Sequence, residues 1–329
     1  MKAARRDRYG PPDVVRLEDV ETPVPVDDQV LIRVRAASVN RADLDGLTPR
    51  PSFARLFMGV RAPRNHGVGI DAAGVVEAVG PTATRFKPGD EVFSDLFAYA
   101  TGGIGAFAEY VCAREKAFEP IPAGMPFDVA ATLPHSAVLA VQSLRLRNGR
   151  TPKPDDKVLV DGASGNVGPF AVQIAKSMGA HVTGVCSTAK VEFVRSFGAD
   201  RVLDYTKVDY TKSGELYDWI VDTDSHHSIV SVRRALRPNG VYVTLGGTTL
   251  PIFASLILGP LMSIRGDKWS GLLLWWKPFN RDDVGTLTRL IADGKVTPVI
   301  DRRFPLDHVV EALRYVDDGH ARGKVVITI

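Results

Sequence analysis

Residues 161–168 read DGASGNVG, between the apolar run KVLV at 157–160 and the run PFAVQIAKSMGA at 169–180. The first run is a short apolar strand candidate and the second has helical spacing, so the loop lies where a strand turns into a helix. Its glycines stand at G-x-x-G-x-x-G. Gly162 permits the tight turn, Gly165 lets the backbone approach a pyrophosphate, and Gly168 lets the helix pack closely on the strand. The helix N-terminus then turns unpaired N–H donors towards the anion. Ser164 and Asn166 add small polar groups without blocking that approach. The whole turn, Ala163 and Val167 included, is the expected dinucleotide cradle.

The end of the next strand selects the coenzyme. A site that prefers NAD places Asp or Glu there, about 20 residues past the loop, to hold the ribose 2′-hydroxyl. This chain has Val185-Cys186-Ser187-Thr188-Ala189-Lys190 and no acid before Glu192. The hydroxyls of Ser187 and Thr188 and the charge of Lys190 suit a 2′-phosphate. NADPH (NADP+) is therefore the expected cofactor.

Working outward, 329 residues predict two domains and an α/β fold. Residues 1–124 alternate in the β manner: in VLIRVRAASV (30–39), Val30, Ile32, Val34 and Ala36 share one face, with Arg33 and Arg35 on the other. Beyond 125, strand-like runs (KVLVDG, HVTGVC, RVLDYT, YDWIVDT, VYVTLGG) are separated by helical stretches, which implies a parallel sheet flanked by helices. DVAATLPHSAVLAVQSLRLRNG (128–149) and HHSIVSVRRALRPNG (226–240) read as two of those helices. The final run GKVVITI is a strand expected to return to the β-rich domain. Residues 1–124 and 295–329 then form one domain, with 125–294 inserted in it.

Mixed charge, 41 Lys and Arg against 38 Asp and Glu without a basic block, excludes a nucleic-acid surface. Cys112 and Cys186 stand far apart and suggest neither a disulfide framework nor a zinc knuckle. MKAARRDRYG lacks the apolar core of a secretory leader, and both features point to the cytoplasm. LPIFASLILGPLMSI (250–264) is too short for a membrane span and is interrupted by Gly259-Pro260. With Trp269, Trp275 and Trp276 it is expected to form a buried lid or a subunit contact.

Along almost the whole chain run GPPDVVRLEDVETPVP, RVRAASVNRADLDG, DAAGVVEAVG, RFKPGDEVF, GAFAEYV, GASGNVGPFAVQIAK, FGADRVLDY and GKVVI. In content and order they resemble the zinc-independent medium-chain dehydrogenase/reductases, in the quinone oxidoreductase-like and enoyl reductase branch. The resemblance implies a GroES-like β-rich catalytic domain from both chain ends, a doubly wound Rossmann domain between, and a cleft that binds NADPH. It also implies a homodimer, formed in part through VYVTLGG and the 248–280 segment. By the same likeness Tyr205 stands near the 2′-phosphate, and Leu245, Gly246 and Gly247 near the nicotinamide ribose. Asn40 falls beside the nicotinamide, while Lys324 is a structural or a cofactor contact. Departures include Asp161 where relatives have Asn, Asn166 where they have Gly, and Leu139 where they often have Thr. A carboxylate at Asp161 would repel a pyrophosphate unless it turns away.

Zinc-dependent relatives carry Cys-x-x-Asp/Ser/Thr where this chain reads Asn40-Arg41-Ala42-Asp43, and Gly-His-Glu where it reads Gly69-Ile70-Asp71. Their third ligand falls within 133–140, which here contains no Cys. Too few N and S ligands remain, and no metal is expected. Alcohol oxidation then lacks the Lewis acid that lowers the alcohol pKa. An electron-poor small acceptor, a quinone or an alkene conjugated to a carbonyl, needs only hydrogen bonds for the charge arriving on oxygen. Asn40 is the candidate donor. His66, in RNHGVGID, and His135, after Pro134 where relatives have an apolar residue, are further catalytic candidates. A carbonyl reductase or alcohol dehydrogenase, and an NADPH-binding protein of low turnover, are the alternatives.

Overall fold

The structure, a computed structural model, describes residues 1–49, 55–97, 103–264, 266–273, 277 and 279–329. Trp275 and Trp276 lie outside them. The chain forms two compact units: Met1–Ser136 with Pro278–Val284 and Ile300–Ile329, and Ala137–Lys277 with Gly285–Val299.

The first unit opens with β1 (Lys2–Arg5), β2 (Arg16–Asp19), β3 (Gln29–Val39), β4 (Asp71–Val79), β5 (Glu91–Asp95), β6 (Tyr110–Arg114) and β7 (Phe118–Pro120). The second holds β8 (Lys157–Asp161), β9 (His181–Cys186), β10 (Arg201–Asp204), β11 (Tyr217–Asp222), β12 (Leu236–Thr244) and β13 (Trp269–Leu272). The chain then returns to the first unit as β14 (Ile300–Pro305) and β15 (Lys324–Thr328).

In the first unit the sheet order is β14-β15-β3-β4-β5-β7, with β6 also on β3 and β1 paired to β2. Val30, Ile32 and Val34 of β3 enter a core with Phe107, Phe118, Leu313 and Val325, while Arg33 and Arg35 face outward. Three ladders meet at one end of this sheet. Ser38 of β3 opposes Asp71 of β4, and Asp71 opposes Asp95 of β5. Val325 of β15 opposes Val39, which brings Lys324 level with Asn40. Ser38, Asn40, Asp71, Asp95 and Lys324 thus converge at one end of the sheet through the register of β3, β4, β5 and β15.

The second unit's sheet is parallel throughout, in the order β10-β9-β8-β11-β12-β13. Strand order reverses between β8 and β11, and a doubly wound sheet binds its ligand outside the carboxyl ends of the strands at such a reversal. Leu159, Ile220, Val232 and Tyr242 lie in its core.

Several elements differ from the sequence expectation. The run 128–149 is two helices, Phe127–Ala130 and Ser136–Ser143, because Pro134 has no N–H to continue a helix. The helix in 226–240 covers only Ile229–Arg234, and β12 already begins at Leu236. VYVT lies inside the sheet, flanked by β11 and β13, so it is not an edge available to a second subunit. Thr249–Ile264 is a helix whose Gly259 lies against β13, where a Cβ would stand 2.6 Å from the Ser270 carbonyl oxygen. Its Leu250, Phe253, Ile257, Leu261 and Ile264 are exposed rather than buried. Among the described residues no helix is long and apolar enough to cross a membrane.

Gly74 pairs with Val34 beside an irregularity in the β3–β4 ladder, and a Cβ there would stand 2.2 Å from the Arg33 carbonyl oxygen. Gly74→Val is expected to force the two strands apart and lower stability by about 1–3 kcal/mol, read as a fall in the thermal or urea midpoint.

Candidate functional site

The converging strand ends of the first unit enclose a buried polar centre. Asn40 closes β3 and precedes the helix Arg41–Leu47, where its backbone N–H donates to Asp43 Oδ2 at 2.7 Å. Its amide nitrogen donates to Asp71 Oδ2 at 2.8 Å and to the Ser38 carbonyl at 3.3 Å. Its amide oxygen accepts from Lys324 Nζ at 2.6 Å and from Ser136 Oγ at 2.7 Å. Both amide hydrogens are therefore engaged, and Asn40 acts as a hub rather than as a donor to an incoming acceptor. Lys324 Nζ also donates to Ser136 Oγ at 3.1 Å and lies 3.5 Å from Asp71 Oδ2. Ser38 Oγ donates to the same Asp71 oxygen at 3.0 Å.

Burial works against both charges of the central pair: it raises the Asp71 carboxyl and lowers the Lys324 ammonium, each partner partly restoring the other. Burial likewise pushes the Asp43 carboxyl up to about 7, against the pull of the Asn40 N–H. Of the histidine candidates, His135 belongs to this centre. Its Nδ1 meets Asp95 Oδ2 at 3.0 Å and its backbone N–H donates to Asp71 Oδ1 at 3.1 Å. His66 lies elsewhere in the unit, with Nδ1 2.8 Å from the Arg6 carbonyl and 3.2 Å from Asp7. Sequence reasoning missed Asp95, Ser38 and Ser136. EVFSD looks like any short alternating strand, and only its ladder with β4 aligns Asp95 with Asp71.

In the second unit the loop after β8 has the geometry of a cradle. Gly162 has φ +77, and a Cβ would meet Thr223 Oγ1 at 2.2 Å. A Cβ on Gly168 would stand 2.4 Å from the Ala163 and Gly162 backbone, at the start of the helix Gly168–Ser177. Gly165 is open: a Cβ would meet nothing closer than the Gly162 carbonyl oxygen at 3.4 Å. Ala163 and Ser164 are buried beneath, and Asn166 and Val167 are half-buried. Beside the loop, Leu245 N–H donates to the Asp222 carbonyl and Ser225 N–H to the Gly246 carbonyl, both at 2.9 Å. Gly247, with φ +131, packs against the Ser225 backbone. The loop and Leu245-Gly246-Gly247 therefore share one edge. At the end of β9, Ser187 and Lys190 are half-buried and Thr188 exposed, with Tyr205 also exposed after β10.

Two acids qualify this picture. Burial, then the neighbouring Asp222, pushes the Asp161 carboxyl well above the usual carboxylate range. A carboxyl whose charged form is disfavoured repels an anion at this loop less than an exposed one would. Asp204, opposite Cys186, accepts from Thr188 Oγ1 at 2.6 Å, so Thr188 is engaged by an acid that the sequence reading overlooked.

Residues 26–123 match the family model described as alcohol dehydrogenase GroES-like domain, and 197–327 that described as zinc-binding dehydrogenase. The Mus musculus protein named NAD(P)H oxidoreductase RTN4IP1, mitochondrial, is 31% identical over 353 residues, 98% of this chain and 88% of that protein. The chain belongs to the zinc-independent medium-chain dehydrogenase/reductases. Another member of this family, the NADPH-dependent alkenal/one oxidoreductase, chloroplastic, of Arabidopsis thaliana, is 32% identical over 99% of this chain and 79% of its own. The structure of the quinone oxidoreductase from Coxiella burnetii matches with a TM-score of 0.84 and 27% identity, covering 100% of this chain and 99% of that one. The residues present do not fit the zinc named in the second family model. Lys324 supplies the cation at Asp71, and the described residues contain no group of three or more His, Cys, Asp or Glu able to hold a metal.

Lys324→Met leaves Asp71 buried without its cation and is expected to cost about 3–5 kcal/mol. Adding Asp71→Asn should recover much of that loss. In the single variant Asp71 has a folded pKa raised further above its unfolded value, so the deficit is largest at high pH and shrinks towards about pH 4. Urea titrations across pH measure both effects.

Proposed function

We propose that this chain is an NADPH-dependent reductase that delivers hydride to a quinone or to an alkene conjugated to a carbonyl, working in the cytoplasm as a homodimer. The observation that carries this reading is the open cradle at the strand-order reversal of the second unit. The sequence places no acid at the ribose end of its next strand before Glu192. The 162–168 loop would hold the pyrophosphate on its N–H groups and on the N-terminus of Gly168–Ser177. Ser187 and Lys190, with Tyr205 beside them, would hold the 2′-phosphate, and Leu245, Gly246 and Gly247 the nicotinamide ribose. When bound, the reduced nicotinamide supplies the hydride, and the protein orients the acceptor and keeps water out. The buried thiols Cys112 and Cys186 suit a reducing compartment.

The deciding experiment follows oxidation of NADPH and NADH against quinones, enones and aldehydes. NADPH-dependent turnover of quinones or enones, unaffected by chelators, is the expected result. Preference for NADH, or aldehyde reduction abolished by chelation, refutes the reading. Lys190→Ala removes a charge-assisted contact to the 2′-phosphate and should weaken NADPH about 10- to 100-fold while leaving NADH unchanged. Gly165→Leu should abolish binding of both coenzymes with the melting temperature kept, because its side chain enters open space.

A further inference from the structure

Between Asp45 and Asp71 the sequence holds no acidic residue, and the stretch RLFMGVRAPR at 55–64 sets Arg55, Arg61 and Arg64 among large apolar side chains. Local bonds give this stretch a fixed shape. The Gly59 N–H donates to the Arg55 carbonyl at 2.9 Å and closes the short helix Arg55–Met58. The Arg64 N–H donates to the Met58 carbonyl at 2.8 Å and closes the turn that follows. Gly59 has φ +121, and a Cβ on it would collide with the Ala62 carbonyl oxygen, so the turn requires glycine there. Tyr9 ties the loop to the rest of the first unit. Its hydroxyl donates to the Gly59 carbonyl at 2.8 Å, and the Arg55 guanidinium lies over its ring, 5.0 Å from the centroid.

This shape sorts the side chains. Gly59 and Pro63 are buried and Met58 is half-buried, whereas Leu56, Phe57 and Val60 are 65%, 75% and 64% exposed. Arg61 and Arg64 are exposed as well, and neither pairs with a carboxylate among the described residues. Asp7, close to Tyr9 in the chain, lies 3.2 Å from His66 Nδ1 instead. The loop therefore presents three apolar side chains to water together with cations that have no counter-charge.

Side chains so fully exposed form a ridge, because the walls of a groove would cover part of each. A ridge does not enclose a small molecule or a peptide; it enters a surface that yields. The boundary between lipid headgroups and acyl chains is such a surface. It takes apolar side chains inward while guanidinium groups stay level with the phosphates. Unpaired arginines add a preference for anionic lipid. The exposed apolar face of Thr249–Ile264 lacks that preference, since the helix contains no charged residue.

We propose that the 55–64 loop docks the first unit on an anionic lipid surface. Leu56, Phe57 and Val60 enter the headgroup boundary, and Arg61 and Arg64 pair with the lipid phosphates and carboxylates. The contact is reversible, each arginine strengthening it about fivefold. It depends neither on the coenzyme nor on the acceptor, so it stands or falls separately from the reductase reading.

The test is sedimentation of the full chain with phosphatidylcholine vesicles, with and without phosphatidylserine. Wild type is expected to pellet only with the anionic vesicles and to be released as salt approaches about 1 M, where screening shortens to about 3 Å. The double variant Arg61→Ser/Arg64→Ser should bind about 25-fold more weakly, and Arg61→Lys/Arg64→Lys should restore binding. Leu56→Ser/Phe57→Ser should weaken binding at least about 10-fold. All four side chains are exposed, so melting temperatures should stay at the wild-type value. Phe57→Trp, read as the difference from wild type, should shift its fluorescence to the blue on anionic vesicles. If a double variant does not fold, the salt dependence and the Phe57→Trp shift decide. The proposal is overturned if wild type ignores anionic vesicles, if both serine double variants bind as wild type does, or if the Phe57→Trp emission does not move. Binding of polyglutamate without binding of vesicles, lost in the arginine-to-serine variant, also overturns it and gives the loop to an acidic protein partner.

Discussion

The ammonium of Lys324, buried at the end of the last strand, is the constraint on which the first unit depends. A lysine charge with 1% exposure is tolerable only with a carboxylate and neutral acceptors around it. Those partners come from β3, β4 and the turn before Ser136, so the C-terminal strand must dock for their polar groups to be satisfied. This explains why both chain ends build one sheet. It also explains why Asn40 is not free to serve an acceptor, since releasing its amide would leave Asp71 and Lys324 under-solvated together.

The second unit has the opposite problem, because its loop must accept an anion beside acids. Asp161 and Asp222 end adjacent strands and face each other in register. Two ionised carboxylates there would be costly, and burial raises both. Tyr242 donates to Asp222 Oδ2 at 2.9 Å, and the Gly162 N–H stabilises the ionised form of Asp161 only in part. Burial thus disfavours charge on both carboxyls, which softens the repulsion that Asp161 would otherwise set against an anion at the turn.

Much of this was legible in the sequence, for identifiable reasons. DGASGNVG carries its own context, a strand before and a helix after, and the conformational demands on Gly162 and Gly168 are local. The alternation in VLIRVRAASV likewise announces its buried face. The polar centre was not legible in the same way. Asn40, Asp71, Asp95, His135 and Lys324 are joined by antiparallel ladders and a proline break, and no local period encodes which strand ends become neighbours. His135 drew notice only because a polar residue stands where an apolar one is expected, and nothing in EVFSD marks its final aspartate. The apolar face of Thr249–Ile264 shows the limit of such reading, since apolar content does not say whether a face is covered within the chain or left exposed.

Coenzyme choice is a difference between two affinities, and here the sequence and structure bear on it unequally. The absence of an acid in CSTAK speaks for the 2′-phosphate. Asp204 speaks against it. Its carboxyl is held down at about 2, first by the Thr188 hydroxyl and then by Thr206, so a full negative charge stands across from the end of β9 at any neutral pH. That charge does not lie bare. Thr188, Thr206 and, at 3.5 Å, Lys207 occupy its oxygens, which leaves little of the acceptor capacity that a ribose 2′-hydroxyl would need. An acid already satisfied is a poor ligand for NADH and a partly screened obstacle to NADPH.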